Sequence, residues 1–136
     1  MAETVIKLTR SVATKEINGW LDAKKIKDGQ RESSKDSIET LIECVMEGDL
    51  LVNADGTLTQ NLLFPIGSNG EIKALTFKNR LNDRMLEPHL KGIKGTDVFA
   101  VLSAYIAALT DTTKTVLSHL DSADSRVGKS IAVFFM

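Results

Sequence analysis

At 136 residues the chain has room for one domain with its own hydrophobic core. Hydrophobic residues make up 43%, charged residues 26%, and the net charge is -1, so no overall charge favours nucleic acid or an anionic membrane as partner. The single cysteine forms no internal disulfide, and no apolar run is long enough to span a bilayer. The start, Met1-Ala2-Glu3-Thr4, does not resemble a signal peptide, so we expect a soluble cytoplasmic protein.

The first 48 residues predict a helical arm. Weak alternation from Val5 to Leu8 predicts a short strand, and Ser11–Lys27 has roughly helical apolar spacing that Gly19 weakens. A clearer helix follows a cap at Ser33 or Ser34, and Gly48 stands where it should stop. Its apolar residues, at steps of three and four, are Ile38, Leu41, Ile42, Val45 and Met46.

Four basic side chains cluster after the first helix, namely Lys24, Lys25, Lys27 and Arg31. Such a cluster can bind phosphates, so a small nucleic-acid-binding or regulatory protein is one alternative function. Acids are interleaved with it at Asp22, Asp28 and Glu32, which favours an ordinary solvated helix face and loop.

From Asp49 the apolar period changes to that of strands, and residues 49–80 predict two β-hairpins. The first pairs Leu50–Val52 with Thr57–Thr59 across an Asn-Ala-Asp-Gly turn. The second pairs Leu62–Ile66 with Glu71–Lys78 across a Gly-Ser-Asn-Gly turn, whose residues tolerate positive φ.

Residues 81–136 predict a mainly helical C-terminal half. A short helix is expected within the polar connection, and Thr96-Asp97 caps a helix that ends near Leu109. Asp121 and Asp124 are spaced as a second cap, before the last helix. The whole chain, 1–136, is therefore predicted to be a single α+β domain, with a small antiparallel sheet packed between the N-terminal helical arm and the C-terminal helices.

The large apolar residues at the end of the chain have two interpretations, which both stay open. They either fill the protein's own core or face a partner. In the second case the candidate partner-binding residues are Val127, Ile131, Phe134 and Phe135. A groove on the Thr96–Leu109 helix is a further candidate surface, since it is suited to an amphipathic partner helix.

Enzymatic and metal chemistry is not predicted. No acid, base and nucleophile form a recognisable set, and Cys44 lies beside a helical apolar stripe, where it packs. Gly128-Lys129-Ser130 resembles the end of a phosphate-binding loop, but Ala123 replaces the first glycine. The turn at 53–56 resembles a calcium loop with leucines at its first and last ligand positions, and the two histidines are thirty residues apart. We expect no catalytic residue, cofactor or metal.

A set of short motifs follows one order through residues 60–136. It begins with an apolar-Pro-apolar strand, a turn, and a second strand that ends near an arginine. A helix that ends in Ala-Leu-Thr follows, then a Leu-Asp pair with a second aspartate, and finally two aromatic residues. These are Leu63-Phe64-Pro65-Ile66, Gly70-Glu71-Ile72, Leu75-Thr76-Phe77-Lys78, Arg80, Ala107-Ala108-Leu109-Thr110, Leu120-Asp121, Asp124 and Phe134-Phe135. In this order the chain resembles the tail assembly chaperones of long-tailed bacteriophages, particularly the small Mu-like group. The first fifty residues and the basic connection before Thr96 have no counterpart in it.

The resemblance implies a non-enzymatic protein of the infected host's cytoplasm. It implies that the chain binds the tape measure protein, keeps its long apolar helices soluble, and passes it to the tail tube protein. Self-association into a homo-oligomer is a further expectation, since apolar helix stripes in a small chain can be buried between copies. Neither nucleic acid nor a membrane is an expected partner. A structural tail or head-completion protein retained in the virion is the remaining alternative.

Overall fold

The computed structural model describes residues 7–136 as a mixed α+β structure, which confirms the predicted fold class. A three-stranded antiparallel sheet in the order β1-β2-β3 is packed with helices from both ends of the chain. The elements are α1 (Arg10–Ala23), α2 (Asp28–Ser33), α3 (Lys35–Glu47), β1 (Leu50–Val52), β2 (Leu58–Ile66), β3 (Ile72–Phe77), α4 (Asp83–Leu90), α5 (Val98–Thr110), α6 (Lys114–Leu117), α7 (Ser122–Ala132) and a final 3-10 turn, Val133–Phe135.

Helices α1 and α3 form the predicted N-terminal arm and pack against each other through apolar faces. Thr9 caps α1 by accepting a hydrogen bond from the Val12 amide, and Gly48 ends α3 with a φ of 80°. Within the predicted strand Val5–Leu8, residues 5 and 6 lie outside the described residues, and Lys7 and Leu8 are not in a strand. The buried residues of this arm are Ala13, Ile17, Trp20, Leu21, Leu41, Ile42 and Val45.

The two predicted hairpins share their middle strand, so the sheet is a three-stranded meander and the prediction of four separate strands is wrong. Gln60 and Asn61 were expected to separate two strands, but they continue β2, and Gln60 pairs with Leu50 on one side and Leu75 on the other. Gln60 is 1% exposed, and its side-chain amide donates to the backbone carbonyl of Asp124 at 2.9 Å. Helix α7 thus satisfies the side-chain N–H of this buried residue, whereas its side-chain oxygen has no partner among residues 7–136.

A wide bulge interrupts the pairing of β2 with β3. The register runs from Asn61 opposite Ala74 to Ile66 opposite Ile72, so four β2 residues, 62–65, lie against residue 73 alone. The carboxylate of Asp124 reaches into the bulge and accepts the backbone N–H groups of Leu63 at 2.9 Å and Phe64 at 3.0 Å.

Asp124 therefore has a different role from the helix cap that its spacing predicted. Asp121 alone caps α7, through the Ala123 amide at 2.9 Å. Asp124 is 1% exposed, and a buried carboxylate is costly unless polar groups replace its water. The two bulge amides do so, and they fix α7 against the sheet.

Helices α5 and α7 approach closely because small residues lie between them. Ala104, Ala107 and Ala108 of α5 are buried, and a Cβ at Gly128 would lie 3.2 Å from Cδ1 of Ile106. A side chain at this position would be tightly packed against Ile106, so the glycine of the Gly-Lys-Ser motif has a packing explanation. Within residues 7–136 no helix is long and apolar enough to cross a membrane.

We expect Asp124→Ala to lower the free energy of unfolding by about 2–4 kcal/mol, because it leaves two bulge amides without their charged acceptor. Urea denaturation with an unchanged m-value measures the loss. Asp121→Ala is the control, since loss of an ordinary cap costs ~1 kcal/mol. Equal losses in the two variants would contradict the role assigned to Asp124.

Candidate partner-binding groove

A groove of about 650 Å³ lies between α5, α6 and α7, and we refer to it as the C-terminal groove. Its walls include Phe99, Ser103, Lys114, Arg126, Lys129 and Val133. The groove lies at the predicted place, on the helix that begins after Thr96, but most of its outer wall comes from α7.

Part of the apolar lining of the groove is at the first turn of α5, and Leu117, Leu120 and Val133 supply the rest. Phe99 is 68% exposed and the adjacent Val98 is 60% exposed, the two largest exposures among the exposed large hydrophobic side chains in the described residues. The Lys129 ammonium lies 3.2 Å from the centroid of the Phe99 ring, a cation–π contact that joins α7 to α5. Burial against this ring lowers the pKa of Lys129 below its ordinary value.

The charge of the groove is positive. Lys114, Arg126 and Lys129 line it, and no aspartate or glutamate does. None of these three cations forms an ion pair with another residue of the described range 7–136. A partner that offers acidic side chains would therefore find cations that the chain itself does not neutralise.

One face of α7 points into the groove, and it is the polar face. Residues 122, 125, 126, 129, 130 and 133 line the groove at helical spacing. The apolar positions of the same helix point the other way, toward the sheet and α3. Apolar spacing selects the helix that carries Phe99 and the opposite face of α7, but it does not select Arg126 and Lys129; the spacing of the polar positions on α7 is the signal that indicates this face.

The four predicted partner-binding residues are distributed between the core and its margin. Ile131 is 0% and Phe134 3% exposed, whereas Val127 and Phe135 are half-buried. Val127 lines a small internal cavity with Cys44. Ile131 and Phe134 can reach a partner only if the end of the chain detaches, and partner binding by these four residues stays a prediction.

An aromatic cluster holds the end of the chain against α1. Trp20 meets the Phe134 ring edge-on at 5.9 Å and the Phe135 ring at 6.2 Å between centroids. The Lys24 ammonium lies 3.3 Å from the centroid of the Phe135 ring and donates to the Asn79 carbonyl at 3.1 Å. Burial and the like charge of Arg80 lower the pKa of Lys24 to about 8.

The basic cluster after α1 does not form a continuous cationic surface. Arg31 pairs with Asp22 at 2.7 Å and donates to the Ile26 carbonyl at 3.0 Å. Lys24 is half-buried over Phe135, so Lys25 and Lys27 are the exposed members of the cluster. This arrangement agrees with a helix end stabilised by its own contacts.

The structure also bears on the Cys44 thiol and on metal binding. Burial raises the pKa of Cys44 to about 11, so its thiol is protonated at neutral pH, as expected for a packing residue. Among residues 7–136, no three histidine, cysteine, aspartate or glutamate side chains are close enough to hold a metal ion.

Comparisons of the chain with protein-family models, with curated proteins and with solved structures give no match. Any function proposed for it therefore depends on the sequence motifs and on the geometry of the C-terminal groove.

Substitution by alanine should lower the free energy of unfolding much more at Phe134 than at Phe99. Phe134→Ala should lower the free energy of unfolding by about 3–5 kcal/mol, because it leaves a cavity in the core. Phe99→Ala should change it by less than about 0.5 kcal/mol, since the ring is exposed. Thermal or urea unfolding measures both. A small effect of Phe134→Ala would show that the end of the chain is not docked.

The depressed pKa of Lys24 predicts a pH-dependent contribution to stability. Its pKa is about 8 in the folded chain and 10.5 ordinarily, so between these values the unfolded chain binds more protons. The Lys24 contribution to the free energy of unfolding should therefore rise from pH 8 to pH 10.5. The free energy of unfolding of the wild type minus that of Lys24→Met, both from urea denaturation, should increase over this window. The Cys44 thiol titrates in both proteins, so its contribution cancels in the difference. A difference that is flat or falls with pH would contradict the burial of the ammonium.

Proposed function

We propose that the chain is a tail assembly chaperone of a long-tailed bacteriophage, a non-enzymatic protein of the host cytoplasm that binds the tape measure protein and helps to recruit tail tube subunits. The observation that carries the proposal is the C-terminal groove, which combines an exposed phenylalanine with three cations that have no ion-pair partner in the described chain. Such a groove suits an amphipathic helix with acidic flanks.

The contact between the motifs that carry the resemblance also supports the proposal. Leu63 and Phe64 belong to the apolar-Pro-apolar strand, and Asp124 is the second aspartate, some sixty residues later. The Asp124 carboxylate accepts the amides of both strand residues. Two motifs that are far apart in the sequence are thus in direct contact in the fold. This contact gives a physical reason for both motifs to occur in one chain.

The groove suits a chaperone because it is available while the core is complete. A protein that keeps apolar helices soluble needs apolar surface that its own fold does not bury. Phe99 and Val98 provide such surface at the open end of α5. The rim cations Arg126 and Lys129 add electrostatic selection of the segment that is bound.

Nucleic acid is the second candidate ligand, since the same three groove cations attract phosphates. The interspersed serines and the exposed phenylalanine favour a helix, and dependence on salt distinguishes the two. Affinity for nucleic acid falls steeply and linearly with the logarithm of the salt concentration. Docking of an acidic-flanked helix also weakens with salt, but less steeply, because part of its binding free energy comes from buried apolar surface that salt does not screen.

The test is co-expression with the tape measure protein encoded in the same gene cluster. The chaperone should keep that protein soluble and copurify with it. Phe99→Ala should weaken the complex by ~2 kcal/mol, about thirtyfold, as expected for an aromatic side chain at the centre of an interface. Lys129→Glu should weaken it as well, because the rim charge is reversed.

Matched controls separate the groove from the general surface. Leu51→Ala removes another exposed apolar side chain, and Lys73→Glu reverses another exposed lysine, both on the sheet. Neither should change copurification. A tape measure protein that stays insoluble would contradict the proposed function; a complex that Leu51→Ala weakens as much as Phe99→Ala would contradict the groove as its site.

A further inference from the structure

A second cleft, of about 470 Å³, lies beside Trp20 of the aromatic cluster. It is formed by α1, by the turn between β1 and β2, and by residues 79 and 80 after β3. Small residues leave it open, namely Gly19, Ala23, Ala54 and Gly56. Its volume is in the range of pockets that hold small molecules.

Two cations face this cleft with incomplete partners. Lys24 donates to the Asn79 carbonyl and rests on Phe135, which leaves hydrogen-bonding capacity on its ammonium. The charged end of Arg80 has no hydrogen bond or ion pair with any other residue in the described part of the chain. The two like charges destabilise each other, and the pKa of Lys24 is lowered partly for that reason.

Trp20 lies in the wall of the cleft, where it reports on a bound ligand. The residue is 4% exposed, and its indole nitrogen is buried without a hydrogen-bond partner among residues 7–136. A ligand in the cleft therefore changes the surroundings of the indole without bonding to its nitrogen.

The acids on the cleft wall limit the charge of the ligand. Asp55 is already engaged by Thr57, whose amide and hydroxyl donate to it at 3.0 and 2.6 Å. Glu16 carries a second negative charge, which Lys15 beside it in the sequence opposes. Three cations, Lys15, Lys24 and Arg80, line the cleft with these two carboxylates, so one monoanion leaves the site neutral, whereas a dianion such as phosphate leaves it with an excess negative charge.

We propose that this cleft binds a small monoanion, a carboxylate carried on a flat apolar body. Lys24 and Arg80 bind the carboxylate, and the body lies among Gly19, Ala23 and Ala54. The site is separate from the C-terminal groove, and it does not depend on the chaperone function.

The single tryptophan makes a direct test available. The indole N–H of Trp20 gives one resonance in a ¹⁵N-labelled sample, and benzoate is the probe. Benzoate should shift this resonance saturably. Benzamide, its neutral isostere, should bind about tenfold or more weakly, as expected for loss of a charge-assisted contact, and inorganic phosphate should also bind more weakly than benzoate.

Two glycine substitutions keep the test independent of folding. A Cβ at Gly19 meets nothing within 4 Å, so Gly19→Leu should fill the cleft without disturbing the core and should abolish the benzoate shift. Gly29 in α2 is equally open but lies outside the cleft, so Gly29→Leu should bind benzoate as wild type does. Lys24→Gln should weaken binding about tenfold or more.

The proposal would be overturned by any of three results. These are an indole resonance that benzoate leaves in place at every concentration, a benzamide affinity equal to that of benzoate, and a Gly19→Leu variant that binds benzoate as well as Gly29→Leu does. The first result excludes a ligand beside Trp20, the second excludes recognition of charge, and the third excludes this cleft.

Discussion

The carboxylate of Asp124 connects the two halves of the fold. It lies on the first turn of α7 and accepts hydrogen bonds from two backbone amides of the bulge in β2. The backbone carbonyl of Asp124 accepts a hydrogen bond from the side-chain amide of Gln60. The bulge would otherwise present unpaired amides beside the core, and the carboxylate would otherwise be buried without partners. The carboxylate supplies acceptors for the bulge amides, and the amides supply donors for the buried carboxylate. These hydrogen bonds set the position of α7 on the sheet.

The position of α7 decides which of its faces is free. Ile131 packs into the core, and the turn that follows brings Phe134 against Trp20 of α1, so the end of the chain closes the gap between the N-terminal arm and the sheet. The opposite face, with Arg126 and Lys129, is left to form the wall of the C-terminal groove. The groove thus exists because the apolar face is buried, and a partner can use it while the fold stays intact.

The sequence predicts the fold class and most element positions because helix and strand periods are local properties. Asp97 and Asp121 cap α5 and α7 where the sequence predicts caps, and Gly48 ends α3 where a stop is predicted. The continuity of β2 through Gln60 was not predictable, since it depends on a hydrogen bond to a residue more than sixty positions away. Burial of Phe134 was left open for a similar reason. Apolar spacing shows that a face is apolar, and only the packing partners show whether it is covered.

Native-state hydrogen exchange measures whether Asp124 holds α7 on the sheet. We predict that the amides of Leu63 and Phe64 exchange only through global unfolding, at the rate of the slowest core amides, although their strand pairing is interrupted by the bulge. Exchange of these two amides through a local opening of much lower free energy, with the core still protected, would contradict the account.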